Sequence, residues 1–323
     1  MNISPQLHFD RQLIISLTSF PPRIKTVHQT IQSLLNQTKK ADMVILWLAD
    51  SEFPGKEKDL PPELLYLTQK GLSIEWCENL SSFKKLIPTL KKYPDALICT
   101  MDDDVLYDRN LLENLYNAYK KRPDVIHSGR VRRICFKKHQ ISPYNNWPFV
   151  TNVFTPSHLN FFTGVGGVLY PPNCLHKDVF REDIFMKFIP GGDDMWFNIM
   201  AIRNDCKRRL VGSNRIIPDT IKGTQECSLW ENHNMAGIKN DERLEYYQSI
   251  FPELYDILRK AYKKEGAVRL FGFLPLIHIK HETDRTIYRL LGLITIWSRQ
   301  LAPLGIICKL FGLFPISLKI TRN

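Results

Sequence analysis

Ala96-Leu97-Ile98-Cys99-Thr100-Met101-Asp102-Asp103-Asp104 is an apolar run closed by three consecutive acids. A short, unbroken apolar run between turn signals reads as a strand buried on both faces. A strand ending in clustered carboxylates brings negative charge to the carboxyl edge of a sheet, where open α/β folds bind ligands. Carboxylates this close repel one another unless a cation lies among them. Mg²⁺ and Mn²⁺ take such oxygens together with substrate phosphates. If the chain stays extended, residues 102 and 104 share one face and Asp103 points to the other. The local reading is a dication holding a phosphorylated ligand. The competing reading is a solvated turn, because Tyr107-Asp108-Arg109-Asn110 leads into a helix.

Outward from the triplet, strand and helix patterns alternate. Leu13-Ile14-Ile15-Ser16-Leu17 reads as a buried first strand and opens into the polar loop Thr18-Ser19-Phe20-Pro21-Pro22-Arg23. Ile24, Val27, Ile31, Leu34 and Leu35 then recur at helical spacing. Met43 to Leu48 and Leu72 to Trp76 read as the next two strands, and Ser82 to Lys92 as the helix before the triplet strand. This alternation predicts a largely parallel, doubly wound sheet. Leu111 to Lys121 is helical, with further strands expected near Val125 to His127 and Arg130 to Phe136. His139 to Asn160 lacks periodicity and suits a loop over a substrate. Phe161 to Tyr170 reads as a strand whose Gly164, Gly166 and Gly167 admit close approach of a ligand or another strand. Pro190-Gly191-Gly192-Asp193-Asp194 turns into an apolar helix reaching Ile202.

A chain of 323 residues can hold one large domain or two. Its net charge of +11 points to an anionic partner. The seven cysteines include no CxxC pair and read as free thiols of a reducing compartment. The N-terminal residues carry no signal-peptide pattern, and no run of 18 apolar residues spans a bilayer. Near residue 265 the composition shifts, which divides the chain into 1–265 and 266–323. The second part carries eight Lys/Arg against two acids, and it repeats every 20 residues. Leu270-Phe271-Gly272-Phe273-Leu274-Pro275-Leu276 returns as Leu290 to Ile296 and again as Leu310 to Ile316, each copy after an Arg or Lys. Apolar units with basic flanks suit association with an anionic membrane surface. Packing of ordinary helices onto the rest of the chain is the alternative. The charge is not interleaved along a groove, and no zinc-finger or RNA-binding motif occurs, so nucleic acid is not expected as a partner.

From Leu13 to about Asn240 the chain resembles a GT-A-fold glycosyltransferase, family-2-like, of the type that builds bacterial surface polysaccharide or lipopolysaccharide. The resemblance rests on the opening strand and loop Ile15 to Arg23, the segment Ser33-Leu34-Leu35-Asn36-Gln37-Thr38, the acid triplet, the Gly-Gly strand and Gly191-Gly192-Asp193-Asp194-Met195-Trp196. The triplet looks like that fold's DxD signature. The basic tail resembles C-terminal extensions of some lipopolysaccharide glycosyltransferases. The resemblance implies an α/β, Rossmann-like GT-A fold for nucleotide-diphospho-sugar transfer, followed here by a basic, apolar helical extension. It also implies a nucleotide-diphosphate sugar donor (UDP- or GDP-linked), Mn²⁺ or Mg²⁺, and a hydroxyl acceptor on a glycan or lipid-linked molecule. The expected location is cytoplasmic, peripherally attached to the inner face of the cell membrane.

On that basis Asp104, with Asp102, would hold the metal, and Asp102 or Asp103 would accept the ribose hydroxyls. Lys84 and Lys85 are candidates to meet phosphate, against the reading of a solvated helix face. Thr18, Ser19 and Arg23 sit where such enzymes hold base and phosphate. The Asp193-Asp194 pair matches the fold's acceptor-side acidic motif. Asp194 is then the expected base and Asp193 its orienting partner, since a carboxylate beside another acid can have a raised pKa. Helix capping is the alternative role for the pair. His233 matches a late histidine that completes the metal shell in some GT-A enzymes. A base at Asp194 suits inversion, while a histidine ligand fits retention equally. Trp196 and Trp230 are candidates to stack on a sugar, with buried packing as the default. The middle acid of the triplet departs from the usual neutral residue. No Gln-x-x-Arg-Trp stretch of processive synthases is present. Two other functions use the same features: a metal-dependent phosphohydrolase in which Asp102 attacks phosphorus and Asp104 is the acid/base, and a non-enzymatic membrane-surface module.

Overall fold

A computed structural model describes residues 11–150, 155–188, 191–212, 219–224 and 238–265, together with the backbone of six strands between 267 and 318. Two compact units emerge, residues 1–132 with 149–251, and residues 133–148 with 252–323.

In the first unit β1 (Leu13–Thr18), α1 (Val27–Leu35), β2 (Met43–Ala49), α2 (Pro62–Tyr66), β3 (Leu72–Cys77), α3 (Ile87–Lys92), β4 (Leu97–Thr100), α4 (Leu111–Lys121) and β5 (Ile126–Ser128) alternate along the chain. β6 (Val131–Arg133) reaches the boundary of the second unit. That unit contributes β7 (Phe136–Lys137) and β8 (Gln140–Ile141), which pair antiparallel. The first unit resumes with β9 (Asn160–Phe162), β10 (Val168–Tyr170), α5 (Glu182–Phe185), α6 (Asp193–Arg203), β11 (Arg208–Leu210) and α7 (Ile238–Ile250). One seven-stranded sheet runs β11-β5-β10-β4-β1-β2-β3. β1 pairs in parallel with β2 and β4, while β10 runs antiparallel between β4 and β5. The architecture is α/β, with a mostly parallel central sheet.

The strands form where expected because their residues are buried on both faces. Leu13 to Leu17 and Leu97 to Thr100 are at most 1 % exposed, as befits strands covered by helices on either side. Leu13, Ile15, Leu17, Val44, Leu46, Leu97 and Cys99 pack with Val27, Ile31 and Leu34 of α1 and Leu112 and Leu115 of α4 in one core. The chain builds β1, β2 and β3 in one direction and then crosses back to place β4 on the other side of β1. Strand order therefore reverses between β1 and β4, and ligand crevices form at such a reversal, outside the carboxyl ends of the strands. Thr18 and Asp102 lie at those two ends.

Two local expectations change. The helix read over Ser82 to Lys92 is a 3₁₀ turn, Ser81–Lys85, followed by α3. Leu86 between them has φ −130°, and Pro88 cannot donate into a preceding turn. The single strand read over Phe161 to Tyr170 is β9 and β10, separated by a 3₁₀ turn at Gly164–Gly166. Among the described residues no helix is long and apolar enough to cross a membrane. The described cysteines, at 77, 99, 135, 174 and 206, are free thiols.

The second unit contains α8 (Glu253–Glu265), whose Tyr262 stacks on Phe136 with ring centroids 4.8 Å apart. Strands replace the helical extension expected after residue 265. Six of them, antiparallel, succeed α8: β12 (Ala267–Leu270), β13 (Leu274–His281), β14 (Arg285–Leu290), β15 (Ile294–Ala302), β16 (Gly305–Leu310) and β17 (Phe314–Leu318). The 20-residue repeat is a hairpin repeat. Leu270 pairs with Leu274, Leu290 with Ile294 and Leu310 with Phe314, so the repeat's period matches the spacing of these antiparallel pairs. Three-residue connections containing glycine favour hairpins, and β-branched residues alternating with polar ones favour strands. Register aligns Ile279, Tyr288, Trp297, Leu310 and Phe314 in one cross-strand row. The adjacent row, of opposite parity, is Lys280, Ile287, Ser298, Lys309 and Pro315.

Candidate active site

β4 ends at Thr100, and the acids occupy the turn beyond it. The extended alternation expected for the triplet therefore gives way to a different partition. Asp103 and Asp104 face Arg23, and Asp102 faces Lys85. Arg23 Nη1 donates to Asp103 Oδ1 at 2.7 Å, and Arg23 Nη2 lies 3.0 Å from Asp104 Oδ2. Ser19 Oγ donates to the other Asp103 oxygen at 2.6 Å, so both oxygens of that buried carboxylate have protein partners. Thr30 Oγ1 donates to the Asp103 carbonyl at 3.0 Å. Asp103 thus fastens the loop after β1 to the turn after β4, and a charge-assisted pair with a guanidinium is the strongest form of such a tie. Burial alone would lower the Arg23 pKa, but Asp103 and Asp104 outweigh it and raise it. Thr18 Oγ1 donates to the Trp47 carbonyl at 2.8 Å, which turns it toward β2.

Lys85 joins the two acidic motifs. Its Nζ lies 2.8 Å from Asp102 Oδ1 and 2.6 Å from Asp193 Oδ2, and its side chain is 8 % exposed. Burial would lower its pKa, yet Asp102, Asp193 and Asp194 together hold it well above the ordinary value. The neighbouring Lys84 is also buried and pairs with Glu52 at 2.6 Å. Neither lysine lies on a solvated helix face. Ser82 Oγ donates to Asp193 Oδ1 at 2.8 Å. Asp102 is anchored from its backbone, whose N–H donates to the buried Tyr107 hydroxyl at 2.8 Å.

Gly191 and Gly192, with φ of +87° and +93°, lead into α6. A Cβ on Gly192 would meet Arg243 Nε at 2.8 Å. Gly192 is the N-cap, so Asp193 and Asp194 occupy the first helical turn rather than the capping position. The helix dipole favours carboxylates there, but the two acids differ. Burial opposes ionisation of Asp193, yet Lys85 and Ser82 hold its pKa below the ordinary value. Asp194 receives the Gly164 N–H on both oxygens, at 2.9 and 3.0 Å. Burial, and then the charge of Asp193, push its carboxyl up to about 7. One acid of the pair stays ionised while the other titrates near neutrality. Environments that split two carboxyls in this way separate fixed charge from proton exchange.

Gly164 is where the motifs converge. A Cβ there would lie 2.8 Å from Lys85 Nζ, 2.9 Å from Asp194 Oδ1 and 3.1 Å from Asp102 Oδ1. Gly164→Ala is expected to displace all three groups. Activity should fall at least about tenfold while most of the melting temperature is kept, because the clash is with side-chain ends. Steady-state rates and a melting curve check this.

The carboxylates here are oxygen donors of the kind a divalent cation takes, and each faces a protein cation. Five carboxylates, Asp102, Asp103, Asp104, Asp193 and Asp194, surround Arg23 and Lys85. Among the described residues no group of three or more His, Cys, Asp or Glu could hold a metal by itself. His233 and Trp230 lie outside the described residues. Trp196 is buried, donates its indole N–H to the Val179 carbonyl at 3.0 Å, and packs on Phe185 and Tyr247. It is a packing residue and does not present a ring to a sugar. Ser82, Tyr107 and Gly164 escape the sequence reading as site residues. Only Gly164 leaves a signal, since its glycine-bearing segment suits close approach.

No protein-family model matches the chain, and no curated protein matches it in sequence. Solved structures that resemble it include residues 1–349 of TarS from S. aureus, at 13 % identity and TM-score 0.40, over 65 % of this chain and 59 % of that one. The mannosyltransferase PcManGT from Pyrobaculum calidifontis, in complex with GDP-Man and Mn²⁺, matches at 14 % identity and TM-score 0.45, over 81 % of this chain and 72 % of its own. The inositol-1-phosphate CTP transferase from T. maritima matches at 10 % identity and TM-score 0.40, over 71 % and 96 %. The chain thus spans 59 % of the TarS structure's length.

Proposed function

We propose that the chain is a metal-dependent glycosyltransferase that moves a sugar from a nucleotide-diphosphate donor to a hydroxyl of a glycan or lipid-linked acceptor, in cell-surface polysaccharide synthesis. The observation that carries this reading is the Lys85 bridge, which gathers the acid triplet and the Asp193-Asp194 pair into one site at the sheet's reversal point. The donor's diphosphate would lie at the triplet. Asp102 and Asp104 would hold Mn²⁺ or Mg²⁺, which would neutralise the charge of the departing nucleoside diphosphate. Asp103 keeps Ser19 and Arg23 in place beneath it. Asp194 takes the acceptor's hydroxyl proton as the oxygen bonds to the anomeric carbon. The bond from that carbon to the diphosphate breaks, and its electrons leave with the phosphate oxygen. Asp193, held ionised by Lys85, keeps a negative charge beside Asp194 and favours its uptake of the proton.

A thermal-shift panel of UDP- and GDP-sugars with and without Mn²⁺ tests the donor and metal. Asp104→Ala is expected to abolish the metal-dependent shift. An unchanged shift, or rapid hydrolysis of a simple phosphomonoester by the wild type, would refute the reading.

The tail is proposed to hold the enzyme at the anionic inner face of the cell membrane, on the strength of its eight Lys/Arg against two acids. Sedimentation with phosphatidylglycerol vesicles should be lost above about 0.5 M salt, and lost at any salt when the chain is ended at Glu265. Equal sedimentation of the shortened chain would sink the proposal.

A further inference from the structure

Two buried thiols outside the candidate active site, those of Cys174 and Cys206, are hydrogen-bonded to one another. Cys174 lies in the turn after β10, and Cys206 in the connection between α6 and β11. Their residues are 6 % and 7 % exposed. The chain around the two is stitched together. Asn204 Nδ2 donates to the Asn173 carbonyl at 2.7 Å, His176 N–H to the Met200 carbonyl at 3.0 Å, and Arg203 Nη1 to Asp178 Oδ2 at 2.6 Å. Each cysteine also follows a residue in the left-handed region, Asn173 at φ +57° and Asp205 at φ +53°. After glycine, Asn and Asp visit that region most readily. The two turns are thus built on suitable residues, and their mutual hydrogen bonds hold the thiols against each other.

Burial usually leaves a cysteine inert. It pushes Cys77 and Cys135 up to about 11 and raises Cys99 and Cys174 as well. Cys206 differs. The hydrogen bond from Cys174, helped by the Arg208 guanidinium, outweighs burial and lowers its pKa. The thiolate is the form that attacks peroxide, and a second thiol in contact resolves the product. We propose that Cys174 and Cys206 are a redox pair, which hydrogen peroxide converts to a disulfide. The Cys206 thiolate attacks one peroxide oxygen. A sulfur–oxygen bond forms, the oxygen–oxygen bond breaks, and the departing hydroxide takes a proton and leaves as water. Cys174 then attacks the sulfenic sulfur. The sulfur–sulfur bond forms, the sulfur–oxygen bond breaks, and hydroxide leaves with the Cys174 proton as a second water. Two thiols are oxidised and one peroxide is reduced. The disulfide clasps the ends of the segment that carries Gly191-Gly192-Asp193-Asp194 and α6. Such a link restricts the unfolded chain, so it steadies the segment that presents those acids. The clasp does not depend on the sugar-transfer reading.

Peroxide treatment of the reduced full chain tests it. After an acid quench, the protein is unfolded, alkylated, digested without reductant and weighed by mass spectrometry. A peptide pair joining Cys174 to Cys206, lighter by two hydrogens, should appear before the remaining cysteines are oxidised, and dithiothreitol should release it. The oxidised protein should melt at least about 4 °C above the reduced one, and the gain should vanish with dithiothreitol. The order of attack has its own readout. In Cys174→Ser, dimedone should trap a sulfenic acid on Cys206. In Cys206→Ser, Cys174 should stay unmodified. Absence of the joined peptide from the wild type while other cysteines oxidise would overturn the proposal. So would a link that leaves the melting temperature unchanged, or a dimedone adduct on Cys174 in Cys206→Ser. The wild-type measurement stands even where a serine variant folds poorly.

Discussion

Lys85→Met is expected to lower the melting temperature at pH 7.5 by on the order of 10 °C and to abolish activity. The substitution leaves Asp102 and Asp193 facing one another without the ammonium between them. Breaking a buried pair by removing one partner typically costs about 3–5 kcal/mol, and about 1 kcal/mol moves the midpoint of a domain this size by roughly 2–4 °C. The pH dependence distinguishes lost charge from lost packing. Lys85 has its folded pKa raised above 10.5, so its contribution is complete below that value and fades only in strong alkali. Asp193 has its folded pKa depressed below 3.8, so its contribution is present above that value and is lost as pH falls through the depressed one. The bridge therefore operates across the whole neutral range. In the variant, acid protonates the stranded carboxyls and relieves the penalty. The gap between wild-type and variant melting temperatures should narrow markedly between pH 7.5 and 4.5. A gap that stays constant over that range would mean the methionine fails through shape and not through charge.

Asp194→Asn should lower kcat by about a hundredfold to ten-thousandfold, the usual worth of a positioned general base. In the wild type, kcat should rise with pH through about 7, where the Asp194 carboxyl titrates, and the variant should show no such rise. Stability should move the other way. The folded pKa of Asp194 is raised above the ordinary 3.8, so its ionised form opposes folding. That penalty is absent below about pH 4 and complete above about pH 7. Asparagine cannot ionise and can still accept the Gly164 N–H through its carbonyl. At pH 8 the variant should melt at least about 2 °C higher than the wild type, and near pH 4 the two should coincide. A variant that keeps wild-type kcat would remove Asp194 from the reaction.

The fold is legible because burial on two faces leaves an unmistakable mark. Leu13 to Leu17 and Leu97 to Thr100 are unbroken apolar runs, and runs of that length between turn signals form buried strands with little help from context. The tail misleads because its strongest signal, a 20-residue recurrence of apolar residues around glycine, reads as charge and hydrophobicity before it reads as strand parity. Alternation such as Ile277-His278-Ile279-Lys280 has the period of a strand, and it recurs in segments of strand length. The site is half legible. Asp102 to Asp104, Asp193 and Asp194 declare themselves by composition, and Lys85 by proximity to the triplet strand. The partner of each acid is not readable, since that depends on where β4 stops. Because it stops at Thr100, the chain turns, and Asp104 joins Asp103 on Arg23. No local pattern could assign Ser82 to Asp193, 111 residues away, or the Gly164 amide to Asp194, 30 residues away. Such ties come from the way β9, β10 and α6 pack.

The tail's period coincides with one complete down-and-up excursion of the chain, which gives it an unusual tolerance. Excising one whole copy, for instance residues 275–294, joins Leu274 to Thr295 and returns the chain to the strand direction it had left. Excising half a copy sends every later strand the wrong way and leaves its partners mismatched. Copy number is therefore a quantity this sheet can gain or lose in whole steps, so its width can change while the first unit's sequence stays untouched.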